Sequence, residues 1–161
     1  MNRPPSLRFL VSHPAHFIAL GCGSGLSMWA PGTMGTVFAW LSFLLLRPHL
    51  ADGSLLAFWA LAFVLGVSAI HKTGRDLGEP DHGSIVWDEI VPFWFVLFLT
   101  PAGFWWQLAA FALFRFFDIW KPQPARWFDQ EMKNGLGVMM DDVIAAAYTL
   151  FCLALAKWLL T

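Results

Sequence analysis

Residues 85–100 read IVWDEIVPFWFVLFLT, an apolar stretch that carries two adjacent carboxylates, Asp88 and Glu89, close to its start. Apart from these two residues, the stretch has the composition of a helix that is surrounded by lipid or by other apolar helices. A carboxylate beside lipid is costly unless it has a partner, and intramembrane carboxylates are mostly functional. The stretch therefore predicts a membrane-embedded helix with a chemical site at its amino-terminal end.

The composition of the whole chain also indicates a membrane protein. Of its 161 residues, 58% are hydrophobic and 13% are charged, whereas an ordinary soluble domain has about 25% charged residues. The net charge is −1, and no basic stripe alternates with aromatic residues, so nucleic-acid binding is not expected. The length suits a single domain over residues 1–161.

Four or five segments are apolar enough to enter a bilayer. They are residues 34–50, 54–70, 85–100, 104–117 and 143–160. Several are shorter than the roughly 20 residues of a full span, so some segments are expected to enter the bilayer only partway. We predict an all-α, membrane-embedded bundle of four to five hydrophobic helices. Residues 121–137 are expected to add an amphipathic helix at the membrane interface.

The acidic residues gather at one end of these segments. Ten of the eleven lie in or beside two polar stretches: Asp76, Glu79, Asp81, Asp88, Glu89, Asp118, Asp129, Glu131, Asp141 and Asp142. With a cytoplasmic N-terminus and five crossings, eight basic residues also lie inside: Arg3, Arg8, Lys72, Arg75, Arg115, Lys121, Arg126 and Lys133. Only Arg47 and Lys157 lie outside. This bias follows the positive-inside rule and predicts a multi-pass protein whose acidic site faces the cytoplasm.

A glycine-rich stretch, GCGSGLSMWAPGTMGT at residues 21–36, precedes the first apolar segment. Glycines let backbone amides approach an anion closely, and Ser24, Thr33 and Thr36 add hydroxyl groups. These features predict a phosphate site at a helix N-terminus. The alternative is helix packing, because Gly21 and Gly25 form a GxxxG pattern. No Gly-Lys-Ser/Thr sequence follows, so the stretch is not a P-loop.

The second motif is DHGSIVWDE at residues 81–89. Asp81, Asp88 and Glu89 offer carboxylate oxygens, which are the ligands that Mg²⁺ prefers. The alternative is that these acids are solvated at the interface and stabilised by the dipole of the helix that they begin. His82 is a candidate hydrogen-bonding group or acid.

The third motif, RFFDIWKPQP at residues 115–124, places Arg115, Asp118 and Lys121 three residues apart, on one helix face. The arrangement fits a local ladder of salt bridges. It equally fits a site in which Asp118 binds a metal while Lys121 or Arg115 binds phosphate oxygens.

The fourth motif, GLGVMMDD at residues 135–142, opens the last apolar segment. Asp141 and Asp142 are deep enough to need a partner. An N-terminal helix cap is the alternative, and it explains one aspartate but not two.

In this order, the four motifs resemble those of the phosphatidylglycerophosphatase A family. The matching stretches are GCGSGLSMWAPGTMGT, DHGSIVWDE, RFFDIWKPQPARWFD and GLGVMMDD. The resemblance implies a Mg²⁺-dependent enzyme of the bacterial inner membrane. Its substrate would be the phospholipid phosphatidylglycerol phosphate, from which it would remove the terminal phosphate to give phosphatidylglycerol.

The resemblance implies a phosphatase, and the residues of the four motifs suggest how it would act. One or two Mg²⁺ ions would be held by Asp81, Asp88, Glu89, Asp118, Asp141 and Asp142. Lys121, with Arg115 or Arg126, would offset charge on the transferring phosphoryl group. His82 would protonate the leaving glycerol oxygen, and the hydroxyl groups of the glycine-rich stretch would bind the phosphate. Direct attack by water and an aspartyl-phosphate intermediate are both compatible with this set.

A membrane transporter is the alternative function, since intramembrane carboxylates also couple ion or proton transport. Transporter sites lie near the bilayer midplane between two repeated halves. Here the acids lie at one end, and five short segments do not divide into matching halves. We therefore expect the carboxylates of the last three motifs to form one cluster, in which mutual repulsion raises their pKa values.

Overall fold

The computed structural model describes residues 4–160, in which the chain is all-α. Its helices are α1 (Leu7–Ser12), α2 (Pro14–Ala19), α3 (Pro31–Leu46), α4 (Asp52–Leu77), α5 (Trp87–Leu99), α6 (Phe104–Trp120), α7 (Ala125–Glu131) and α8 (Gly135–Leu160). Short 3₁₀ turns at Gly21–Leu26 and Arg47–His49 flank α3. No strand occurs between residues 4 and 160, so the predicted all-α fold is confirmed. Arg3, counted above for orientation, lies outside the described residues.

The five predicted hydrophobic segments are the cores of α3, α4, α5, α6 and α8, but two helices continue further than hydropathy indicates. α4 continues through polar residues to Leu77, where Gly78 stops it in a left-handed conformation with φ of 76°. α8 begins at Gly135, and the Asn134 side chain accepts hydrogen bonds from the amides of Leu136 and Gly137. Capping residues therefore set these ends, rather than the limit of the apolar run.

The helix predicted within residues 121–137 is present but short. α7 covers only Ala125–Glu131, because α6 continues to Trp120 and residues 121–124 form the connection between the two helices. The two N-terminal helices, α1 and α2, were not predicted. His13 caps α2, since its Nδ1 accepts a hydrogen bond from the amide of Ala15 at 3.0 Å.

α5 is the central helix. Ile90, Val91, Phe93 and Val96 have no exposed surface, and α3, α4, α6 and α8 all pack against this helix. A helix that is apolar all round is stable only when it is enclosed in this way. Its 13 residues span about 20 Å, which is less than the roughly 30 Å of a bilayer core. α5 therefore does not span a bilayer by itself.

α4 and α8 are the two helices in residues 4–160 that are long and apolar enough to cross a membrane. Only 28% of the apolar window of α4 and 22% of that of α8 is buried within the protein. Large side chains such as Leu61, Val64 and Phe151 point outward. A core helix of a soluble protein would be mostly covered, so these faces are typical of a membrane-associated bundle.

Neighbouring helices run in opposite directions along most of the bundle. The indole nitrogens of Trp59 and Trp87 donate to the carbonyls of Val91 and Ala62, which fixes α4 antiparallel to α5. As a result, the N-termini of α3, α5 and α8 and the C-termini of α4 and α6 lie together. We call this end of the bundle the acidic end.

The central position of α5 can be tested with Phe93→Ala. The Phe93 ring is fully buried, and its centroid lies 5.3 Å from the ring centroid of Phe114 and 6.0 Å from that of Phe111. Its loss leaves a cavity that we expect to cost about 3–5 kcal/mol, seen as a lower unfolding temperature in detergent. Leu45→Ala on the outer face of α3, where Leu45 is 72% exposed, should change stability by less than about 0.5 kcal/mol. Equal effects of the two substitutions would show that α5 is not enclosed.

Candidate active site

Carboxylates from three separate motifs meet at the acidic end. We call the following set the acidic cluster: Asp81, Asp88, Glu89, Asp118, Asp141 and Asp142. The charge of Asp88 interacts with those of Glu89, Asp81, Asp141 and Asp118, and the charge of Asp142 interacts with four of the same set. The structure therefore brings the second, third and fourth motifs together.

Most members of the acidic cluster are buried, and these buried members lie within α5, α6 and α8. Asp88, Asp118, Asp141 and Asp142 are 6%, 9%, 4% and 2% exposed. Buried carboxylates are costly to keep charged unless cations or hydrogen bonds compensate them. Simple solvation at the interface, the alternative considered for the second motif, does not apply to Asp88.

Arg115 is one of two cations that form salt bridges with the cluster within residues 4–160. One guanidinium nitrogen lies 3.0 Å from Glu89 Oε1 and 2.7 Å from Asp118 Oδ2, and it donates to Thr36 Oγ1 at 3.4 Å. The pair with Asp118 is the local salt bridge that the spacing allowed. The contacts with Glu89 and Thr36 show that Arg115 also joins α6 to α5 and α3.

Lys121 is the second cation. The prediction that it shares a helix face with Arg115 and Asp118 is wrong. It lies just beyond α6 in a left-handed conformation with φ of 47°, which costs about 1–2 kcal/mol for a residue with a Cβ atom. This conformation accompanies contacts of its Nζ at 2.6 Å with both Asp129 and Asp141. Asp129 was not assigned to the site, because no spacing rule links α7 to α8.

The charge on Lys121 is well supported. Burial alone lowers the pKa of its ammonium group, but the negative charge of Asp141 and the hydrogen bonds to Asp129 and Asp141 outweigh burial. The pKa of Lys121 therefore lies above its usual value, and the side chain stays positive.

Asp81 is the most exposed member of the acidic cluster. Partial burial raises the pKa of its carboxyl above the usual value, and the negative charges of Asp129 and Asp118 raise it further. Lys121 and Lys133 act in the opposite direction. Like-charge repulsion, the cause expected from the sequence, therefore contributes less than burial does.

Several carboxylate oxygens in the cluster have no partner. Within residues 4–160, Asp88 Oδ1, Asp141 Oδ1 and Asp142 Oδ1 are buried without a hydrogen bond. Each such atom costs free energy unless a cation or donor reaches it. Unpaired, buried carboxylate oxygens are the donor type that suits Mg²⁺, so the chemistry of the donor set fits this ion.

The ligands are not drawn together in the present arrangement. Between residues 4 and 160, no three acidic, histidine or cysteine side chains are close enough to hold a metal ion. Arg115 and Lys121 instead hold Glu89, Asp118 and Asp141. Metal binding would therefore require these carboxylates to exchange partners.

His82 is buried beside the cluster, and its tautomer follows from one contact. The backbone amide of Ser84 donates to His82 Nδ1 at 3.1 Å, so Nδ1 must be unprotonated. The ring is therefore neutral, with its proton on Nε2. An imidazolium would break the bond from Ser84, and the geometry favours His82 as a hydrogen-bond donor over the predicted proton donor.

The glycine-rich stretch divides into two parts with different surroundings. In the first part, a Cβ atom at Gly21 or Gly25 would overlap with Val86 or with the carbonyl oxygen of Ser84. These glycines allow a kinked turn to pack against the start of α5. Within residues 4–160, Ser24 donates to the Gly21 carbonyl at 2.8 Å and has no contact with the acidic cluster. This part resembles the packing alternative, although it does not pair two membrane helices.

The second part faces the acidic cluster. A Cβ atom at Gly32 would overlap with the Glu89 carboxylate. The single hydroxyl proton of Thr36 has two acceptors within reach, the Gly32 carbonyl at 3.0 Å and Glu89 Oε2 at 3.4 Å. Thr33 is half-buried in the first turn of α3. The structure thus places Thr36 at the cluster, and it shows no contact of Thr33 with the cluster's carboxylates among the described residues.

Arg126 is exposed on α7. It is not one of the basic residues that pair with the acidic cluster in residues 4–160. Of the three basic residues predicted to bind phosphate, Arg115 and Lys121 contact the acidic cluster in the described part of the chain.

Comparison with known proteins shows the family of the chain. No solved structure matches the chain. It is 46% identical to phosphatidylglycerophosphatase A of Haemophilus influenzae over 158 residues, 97% of each protein. It is 43% identical to phosphatidylglycerophosphatase A of Escherichia coli K12 over 139 residues, 86% of this chain and 80% of that protein. The family model for phosphatidylglycerophosphatase A matches residues 17–157, which include the whole acidic cluster. These matches support a phosphatase, and the chain belongs to the phosphatidylglycerophosphatase A family.

Proposed function

We propose that the protein is a Mg²⁺-dependent lipid phosphatase of the bacterial inner membrane. It hydrolyses the terminal phosphomonoester of phosphatidylglycerol phosphate at the cytoplasmic face and releases phosphatidylglycerol and inorganic phosphate. The names of its relatives support the substrate. The observation that carries the mechanism is the set of buried, unpartnered oxygens on Asp88, Asp141 and Asp142, next to two cationic side chains.

The acidic cluster supplies the metal ligands in this proposal. Asp88, Asp141 and Asp142 offer their unpartnered oxygens, and Asp81, Glu89 and Asp118 surround them. Mg²⁺ bound there would polarise the phosphoryl group and favour ionisation of a water molecule.

Arg115 and Lys121 bind and orient the phosphate. Arg115 Nε is buried and has no hydrogen-bond partner within residues 4–160, so it can donate to a phosphoryl oxygen. The ammonium group of Lys121 remains charged at neutral pH, as its raised pKa indicates. Two fixed positive charges in a site of low polarity stabilise negative charge on the transferring group.

Exposed tryptophans support a position at the level of the lipid headgroups. Trp29, Trp120 and Trp127 are exposed at the acidic end, whereas Trp105 and Trp158 are exposed at the opposite end. Tryptophan prefers the two membrane interfaces. The bias of basic residues toward the acidic end supports a cytoplasmic orientation of that end.

Phosphate release tests the proposed function directly. Detergent-solubilised protein with phosphatidylglycerol phosphate should release inorganic phosphate when Mg²⁺ is present. Chelation with EDTA should abolish release, and added Mg²⁺ should restore it, because the acidic cluster needs a cation to act. Release that is unaffected by EDTA would remove the metal from the proposal. A transporter, the alternative function, would release no phosphate in detergent.

Asp142→Asn should abolish turnover while the protein stays folded. The substitution keeps the size of the side chain and removes the charge of a 2% exposed carboxylate. Relief of repulsion from the other acids should leave thermal stability unchanged or raised. Asp52→Asn is the matched control, because Asp52 lies at the opposite end of α4, paired with Arg47 at 2.9 Å. Asp52→Asn should keep wild-type activity, and an active Asp142→Asn variant would exclude Asp142 from the site.

Thr36→Val should lower kcat/KM about tenfold or more, since a hydrogen bond to a charged group contributes about 1.5–3 kcal/mol. Thr36 is fully buried, and its hydroxyl contacts Arg115 and Glu89. Thr149→Val controls for the loss of a buried hydroxyl. Thr149 is equally buried and also donates to the carbonyl four residues earlier, but it lies about 10 Å further along α8 than Asp142. Similar kinetics for both variants would show that Thr36 serves packing only.

A further inference from the structure

A pocket of about 250 Å³ lies next to the acidic cluster. It is lined by Pro4 near the N-terminus, by Ser27 and Met28 in the loop before α3, by Pro31 at the start of α3, and by the turn at residues 82–84. We call it the loop pocket. None of the roles assigned to the acidic cluster requires it.

The loop pocket and the acidic cluster are adjacent at two points of the chain. Pro31 lines the pocket, and the next residue, Gly32, touches the Glu89 carboxylate. His82 lines the pocket, and the preceding residue, Asp81, belongs to the cluster. A molecule whose phosphomonoester lies in the cluster can therefore extend into the loop pocket.

Hydrogen-bond donors in the loop pocket, from His82, and beside it, at the start of α3, suit an anion or a hydroxyl-rich group. His82 is 7% exposed, and its Nε2, which carries the ring proton, has no hydrogen-bond partner among residues 4–160. The amides of Gly32 and Thr33 precede the first backbone bond of α3, from Met34 to Ala30 at 3.1 Å, so they are free within the helix. The N-terminus of this 16-residue helix adds partial positive charge.

We propose that the loop pocket binds the leaving-group part of the substrate, which is a glycerol joined through a phosphodiester to the diacylglycerol. This inference rests on the proposed function. The phosphodiester carries one negative charge, which His82 Nε2–H and the start of α3 accommodate. The pocket is smaller than the roughly 300–1,000 Å³ of sites for drug-sized ligands, so it fits a headgroup fragment and leaves the acyl chains outside.

The loop pocket then determines which headgroup the protein binds. Inorganic phosphate reaches only the acidic cluster, whereas a glycerol phosphodiester also fills the pocket. Blocking the pocket should therefore weaken binding of the second ligand and leave the first unchanged.

Gly83→Leu blocks the pocket with little disturbance of the fold. Gly83 lines the pocket, a Cβ atom there meets no atom within 4 Å, and its φ is not in the left-handed range. Gly53 has the same open surroundings but lies near the start of α4, at the opposite end of the bundle. Gly53→Leu is therefore a matched control.

The experiment measures inhibition of phosphate release by two probes, glycerophosphoglycerol and inorganic phosphate. In Gly83→Leu, we expect the inhibition constant of glycerophosphoglycerol to rise about tenfold or more, as expected for the loss of one or two hydrogen bonds to a charged group. The inhibition constant of inorganic phosphate should change by less than about twofold, within the scatter of a neutral surface substitution. Gly53→Leu should leave both constants unchanged.

Equal changes for the two probes, or no change for glycerophosphoglycerol, would overturn the assignment. If Gly83→Leu turns over too slowly for inhibition kinetics, thermal stabilisation of the solubilised protein by each probe gives the same comparison. If it does not fold, Gly83→Ala replaces it, and a smaller loss confined to glycerophosphoglycerol is expected. Failure of the proposed function is distinct, because the wild-type protein would then release no phosphate from the lipid.

Discussion

Excess negative charge in a buried position is the constraint on which the acidic end depends. Six carboxylates meet there, and Arg115 and Lys121 are the cations that pair with them in the described part of the chain. Two local features of the surrounding structure accommodate these charges. Lys121 takes an unfavourable left-handed conformation beside Asp129 and Asp141, and only a glycine at position 32 leaves room for Glu89. Compensation by protein cations remains incomplete among the described residues, and the proposed divalent cation would complete it.

The site combines two environments that suit the two halves of one lipid headgroup. The acidic cluster and its two cations suit a phosphomonoester and a metal ion. The loop pocket offers a neutral histidine and helix amides, which suit a singly charged phosphodiester and a glycerol. Both regions lie at the acidic end of the bundle, where the central helix α5 begins. A lipid substrate can therefore keep its acyl chains in the bilayer while its headgroup enters the site.

Hydropathy was sufficient to predict the five hydrophobic helices. Because successive helices cross in opposite directions, Glu89, Asp118 and Asp142 were also expected to meet at one end. The remaining features depend on tertiary contacts that no periodicity encodes. Lys121 leaves the face of α6 because the helix ends there, and Asp129 reaches it from α7. The glycine-rich stretch has two roles because its halves face different neighbours, Val86 and Glu89. The tautomer of His82 depends on one backbone amide, that of Ser84.

Direct metal binding tests the central claim, that the acidic cluster holds a divalent cation. Mn²⁺ can replace Mg²⁺ at oxygen sites and is visible by electron paramagnetic resonance. Titration of the detergent-solubilised wild-type protein should show saturable binding of Mn²⁺, and excess Mg²⁺ should displace it. Binding that does not saturate, or that Mg²⁺ fails to displace, would contradict the claim.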